Sequence, residues 1–150
     1  DLKVDPVSVA GFILHEDQSK FKLANSAANL FIYTVNGIES DSSDDEPMLI
    51  VIPLPAAGMT PKQLGNMMVS SMEKHGLTNI KVTSQTTGRV NGYETYEAVI
   101  LGDIKGRQSL NYQFVVVDGS KSVVFQGKAK SEYQTNIEEF RKLAKTIKFK

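Results

Sequence analysis

The chain has no cysteine among its 150 residues. A disulfide framework, a thiol nucleophile, an iron–sulfur cluster and a cysteine-held zinc are thereby excluded. It also lacks an excess charge of either sign, because seventeen basic and seventeen acidic residues cancel. No global field draws it to nucleic acid or to an anionic membrane. Long hydrophobic runs are missing too. The longest, Met48 to Leu54, is interrupted by Pro53 and falls far short of the roughly 20 residues that span a bilayer. The chain has no Gly-x-x-x-x-Gly-Lys-Ser/Thr phosphate loop, no Gly-x-Gly-x-x-Gly fingerprint and no Gly-x-Ser-x-Gly elbow, the local patterns of nucleotide sites and serine hydrolases. No internal repeat is evident.

What is there is ordinary globular material, 41% apolar and 23% charged. Its length suits one domain, and residues 1–150 read as a single unit whose first residues, 1–8, form a flexible stub. That start, Asp1-Leu2-Lys3-Val4-Asp5-Pro6, is polar and unpatterned and does not begin with methionine. It suits either an exported protein whose leader has been removed or a trimmed chain.

Strand-like segments occupy Val9 to Leu14, Phe21 to Leu23 and Leu30 to Val35, the last rich in β-branched and aromatic residues. After an Asn36-Gly37 turn and a polar stretch, Met48 to Ile52 reads as a strand covered on both faces. A helix follows. Thr60 is its N-cap, Pro61 its first residue, Gln63 completes a capping box and Gly76 ends it. Its apolar face runs through Leu64, Met67, Met68 and Met72 to His75.

Ile80 and Val82 then alternate with polar residues, a Thr-rich stretch reaches Val90, and Asn91-Gly92 predicts a tight hairpin into Tyr96, Ala98 and Ile100. A Gly102 to Gly106 connection, the strand Leu110 to Val116, an Asp118-Gly119 turn and the strand Val123 to Ala129 come next. Tyr133, Ile137, Phe140, Ala144 and Ile147 make one helical stripe, with Lys142, Lys145 and Lys148 at the C-terminal end that the helix dipole favours. This order predicts an α+β fold: an antiparallel β-sheet of about six strands with helices packed on both faces.

Candidate chemistry is sparse. His15 and His75 have no second histidine at ligand spacing and read as structural or solvated. Glu39, Asp41, Asp44, Asp45 and Glu46 concentrate five carboxylates in eight residues. That stretch reads as a solvated loop, as a contact for a basic partner, or as a calcium site, although it lacks the ligand spacing that wraps a single ion. The methionines read as core or as an adaptable docking face. The basic C-terminal end, with glutamates interleaved, reads as solvated surface or as a contact for an acidic partner or phosphates.

One pattern carries a resemblance. A Thr-Pro-x-x-Leu helix (Thr60, Pro61, Leu64) leads to Gly88-Arg89-Val90-Asn91-Gly92-Tyr93-Glu94-Thr95-Tyr96, then to a hairpin around Asp118-Gly119, and Phe140-Arg141-Lys142-Leu143-Ala144-Lys145 lies in the closing helix. This resembles the PsbP-like superfamily, which takes in PsbP, DcrB- and LpqN-type bacterial lipoproteins and a Ran-binding nuclear transport factor. The match covers Met48 to Lys150 and reaches the first third only loosely. Many members carry a tryptophan near their start, and this chain has none.

The resemblance implies a PsbP-like α/β/α sandwich with no catalytic residues and no cofactor. It implies a non-enzymatic protein-binding or accessory module of a bacterial envelope, exported and in some members lipid-anchored. Edge strands of such a sheet can pair between chains, so monomer and dimer both stay open. A small-ligand or calcium-binding protein and a hydrolase with a dispersed site are the alternatives.

Overall fold

The computed structural model describes residues 6–38, 47–129 and 133–150. A helical turn α1 (Pro6–Val9) and a short strand β1 (Phe12–Ile13) come first. The strand expected over Val9 to Leu14 is thus only two residues long, because Pro6–Val9 winds as helix. A meander of β2 (Phe21–Ala27), β3 (Leu30–Val35) and β4 (Met48–Pro55) follows. β4 runs through Pro53 and ends later than expected. β3 pairs only with Met48–Val51, so beyond Val51 one side of β4 has no β3 ladder to satisfy and a missing N–H costs nothing there.

Helix α2 (Pro61–Lys74) starts as its sequence predicts. Gln63 N–H donates to Thr60 Oγ1 at 3.2 Å, and Thr60 N–H donates to Gln63 Oε1 at 2.9 Å. β5 (Thr78–Val90), β6 (Tyr93–Ile104), β7 (Arg107–Asp118) and β8 (Lys121–Lys128) then run through successive hairpins. Asn91 and Gly92 sit at φ 51° and 84°, the left-handed pair that a type I′ turn requires. The segment Gly102 to Gly106, expected as a connection, is strand as far as Ile104, and only Lys105-Gly106 turn.

The last helix, α3 (Tyr133–Ala144), stops three residues before Ile147. Lys148 therefore belongs not to a helix end but to β9 (Lys148–Phe149), which pairs with β1 through Phe12↔Phe149 and Ile13↔Lys148.

The main sheet has seven antiparallel strands in the order β2-β3-β4-β8-β7-β6-β5, one more than the expected six. Its two meanders, β2–β4 and β5–β8, join at a single β4–β8 seam. α2 must carry the chain from β4 to the far edge at β5, so it lies over β8, β7 and β6.

Side chains alternate along β7 between two clusters. Tyr112, Phe114 and Val116 join Phe21, Phe31, Tyr33, Leu49, Phe125 and the α3 residues Phe140, Leu143 and Ala144. Val115 instead joins Tyr96, Ala98, Ile100, Val124 and Leu64 of α2. Neighbouring strand residues point to opposite sides, so each cluster lies on its own side of the sheet.

Candidate binding surfaces

Glu39, Asp41, Asp44, Asp45 and Glu46, the expected contact loop, lie outside the described residues. Both histidines are exposed. The backbone N–H of His15 donates to Thr146 Oγ1 at 2.9 Å, and His75 Nδ1 sits 2.7 Å from the Ser71 carbonyl. Among the described residues, no three of His, Asp and Glu lie together as a metal would require. Met68 and Met72 are half-buried against the α2-side cluster, while Met67 is 42% exposed.

The most connected polar group was not foreseen. Tyr112 O–H donates to Glu97 Oε2 at 2.5 Å, and Arg141 Nε donates to the same oxygen at 2.8 Å. Arg141 also pairs with Glu138. Burial holds the Tyr112 phenol well above its ordinary value, and the neighbouring Glu97 carboxylate pushes the same way. The phenol therefore stays a donor. These charges are spent on one another and tie α3 to β6 and β7. No sequence motif marks them, since residues 97, 112 and 141 meet only through strand register and helix docking.

A second tether joins α3 to the start of β2. Glu139 takes the backbone N–H of Lys20 at 2.8 Å and the ammonium of Lys142 at 2.7 Å. Burial raises its carboxyl, but these hydrogen bonds and cations outweigh it and leave the group below its usual value.

Two clefts open on the surface. One, about 410 Å³, lies between the residues leading into α2 (Gly58, Met59, Thr60) and the β5–β6 and β7–β8 turns, with Arg89, Glu94 and Asp118 on its walls. The other, about 320 Å³, is bounded by Phe12, Pro53, Leu54, Pro55, Lys121 and Phe149. Both mix charge, backbone and apolar surface.

The two edges of the sheet differ. At β2 a register shift falls between Leu23 and Asn25, the Leu23 N–H donates to Glu16 Oε1 at 3.1 Å, and Lys22 Nζ bonds the Glu16 and Ser19 carbonyls. These are the devices that stop a strand edge from recruiting another chain. At β5 every residue except Ile80 and Val90 is exposed. Its register shifts are confined to Thr78–Ser84, and the ladder is regular from Ser84 to Val90.

No family model and no curated protein matches the chain. Solved structures do. The Ran-binding protein Mog1p of Saccharomyces cerevisiae is 10% identical, with 87% of this chain and 86% of that one covered at a TM-score of 0.66. Cyanobacterial PsbP (CyanoP) of Synechocystis sp. PCC 6803 is 12% identical, with 99% of this chain and 98% of that one covered at 0.55. PA94 of Pseudomonas aeruginosa, a protein of unknown function, is 12% identical, with 81% of this chain and 82% of that one covered at 0.56. The chain has the α+β fold that these PsbP- and Mog1-like proteins share. At such identities the likeness is one of fold.

Proposed function

We propose that this chain is a non-enzymatic protein-binding module, a single PsbP-like domain with a helix over each side of its sheet. The observation that carries the reading is β5, a 13-residue edge strand exposed along nearly its whole length. Water-exposed strand edges are templates for other chains, and natural proteins usually blunt them, as this one does at β2. The fold it shares with a Ran-binding protein supports the reading without naming a partner for this chain. The polar groups Glu97, Tyr112 and Arg141 satisfy one another. They hold elements in place instead of facing a substrate.

An exported, bacterial-envelope setting belongs to this reading and rests on the superfamily resemblance alone. The acidic stretch Glu39 to Glu46 remains part of it as a second contact, on its charge alone. Crosslinking the tagged protein in its native cells, followed by mass spectrometry, tests the whole. The expected result is one reproducible protein partner, competed away by untagged chain. Turnover on an ester or phosphoester panel with no such partner would overturn the reading.

A further inference from the structure

The β5 edge has a chemistry of its own. Val90 and Tyr93 close the two-residue turn and so form a hydrogen-bonded pair. Alternation then points Thr86 and Gly88 towards β6, and it turns the N–H and C=O of Gln85, Thr87 and Arg89 away from the sheet. Ser84–Val90 contains no proline, the register is regular there, and among the described residues no side chain bonds its outward backbone groups as Glu16 does at β2. The bulged first half of the strand is the guarded part.

The charge on this strand is one-sided. Thr78–Val90 holds Lys81 and Arg89 and no aspartate or glutamate, in a chain whose total charge is zero. Arg89 is solvent-exposed and, among the described residues, reaches only Glu94, at 3.8 Å, and the Gly92 carbonyl. An exposed pair of that length contributes little and leaves the guanidinium free to take a carboxylate in a bidentate grip. Two copies of β5 paired over Ser84–Val90 would bring both arginines to one seam with no acid from either strand.

Resting on the protein-binding reading, we propose that Ser84–Val90 is a docking edge for an extended, acidic segment of a partner protein. That segment adds as an eighth strand to the sheet, bonds the outward groups of Gln85, Thr87 and Arg89, and places a carboxylate against Arg89. Main-chain bonds supply affinity and the carboxylate supplies selectivity.

The test uses the whole chain labelled with nitrogen-15 and a synthetic peptide of alternating threonine and valine with a central aspartate. A twin with a central lysine is the control. The aspartate peptide should shift the amides of Gln85, Thr87 and Arg89 and bind at least about tenfold more tightly than its twin. Arg89→Glu should reverse that order. Thr87→Pro, which removes an N–H outside the ladder, should abolish binding while the rest of the spectrum persists.

Equal affinity for both peptides overturns the proposal, as do shifts centred on α2 or α3. Concentration-dependent shifts along β5 without peptide overturn it in favour of a second copy. A crosslinked partner whose contacts avoid β5 also sinks the edge while leaving the broader reading intact.

Discussion

The two sides of the sheet are built to different standards. On the α3 side, Phe12, Phe21, Phe31, Phe114, Phe125 and Phe140 are buried in one cluster, with the α1–β1 segment and β9 closing over it. Phe140 packs 4.7 Å from Phe21 and 6.0 Å from Tyr112, ring centre to ring centre. On the α2 side the fully buried set is small, and Met59, Met68, Val69, Met72 and Ile80 ring it half-exposed. Met48, Ile50 and Ile52 of β4 are half-exposed on that side as well. The difference teaches where stability resides: the aromatic side holds the fold, and the aliphatic side is held by it.

That contrast can be broken by truncation. Phe140→Ala should cost about 4 kcal/mol and Leu64→Ala about 2.5 kcal/mol in urea unfolding, although both side chains are fully buried. Equal costs would mean that α2 is anchored as firmly as α3. Next in size is Gly127→Ala. A Cβ there would meet the Phe140 ring at 2.5 Å, and overpacking of this kind costs roughly 2 kcal/mol. Adding Phe140→Leu should return part of that loss, a coupling that double-mutant analysis would read directly.

The smallest effect sharpens the comparison through pH. The folded-state carboxyl of Glu139 is depressed, so its contribution is present above its unfolded value and is lost as pH falls through the folded one. Glu139→Gln should cost about 1 kcal/mol near neutrality and flatten the acid limb of the stability profile. An unchanged limb would remove Glu139 from the account of α3 docking.

The elements legible in the sequence were those whose cause is local. The capping box of Thr60 and Gln63 and the left-handed Asn91-Gly92 pair depend on neighbours three residues away or fewer, and both stand as read. Strand β9 was not legible, and β1 was legible only as part of a longer strand, Val9 to Leu14. Two residues cannot show a period, and each exists because the other does. Leu143 is fully buried although it lay off the expected stripe, whereas Tyr133, at its head, is exposed. The stripe marked a face but not how far the sheet beneath it extends.

Of the candidate site, the acidic residues lie outside the described part of the chain. The β5 edge was present in the sequence only as a strand, with Ile80 and Val82 alternating with polar residues before a Thr-rich stretch to Val90. Which strand lies outermost is decided by how the two meanders join, and no single residue encodes that.

The β1–β9 pairing also has a mechanical consequence. It sets Phe12 opposite Phe149, so chain on either side of this ribbon leaves from one spot. Tension applied there pulls the ribbon apart crosswise, as a zipper opens: the bond from Lys150 N–H to the Gly11 carbonyl first, then Phe12↔Phe149, then Ile13↔Lys148. Phe149 N–H also donates to the Tyr93 hydroxyl of β6 at 3.0 Å, so the seven-stranded sheet shares the load while that clasp opens.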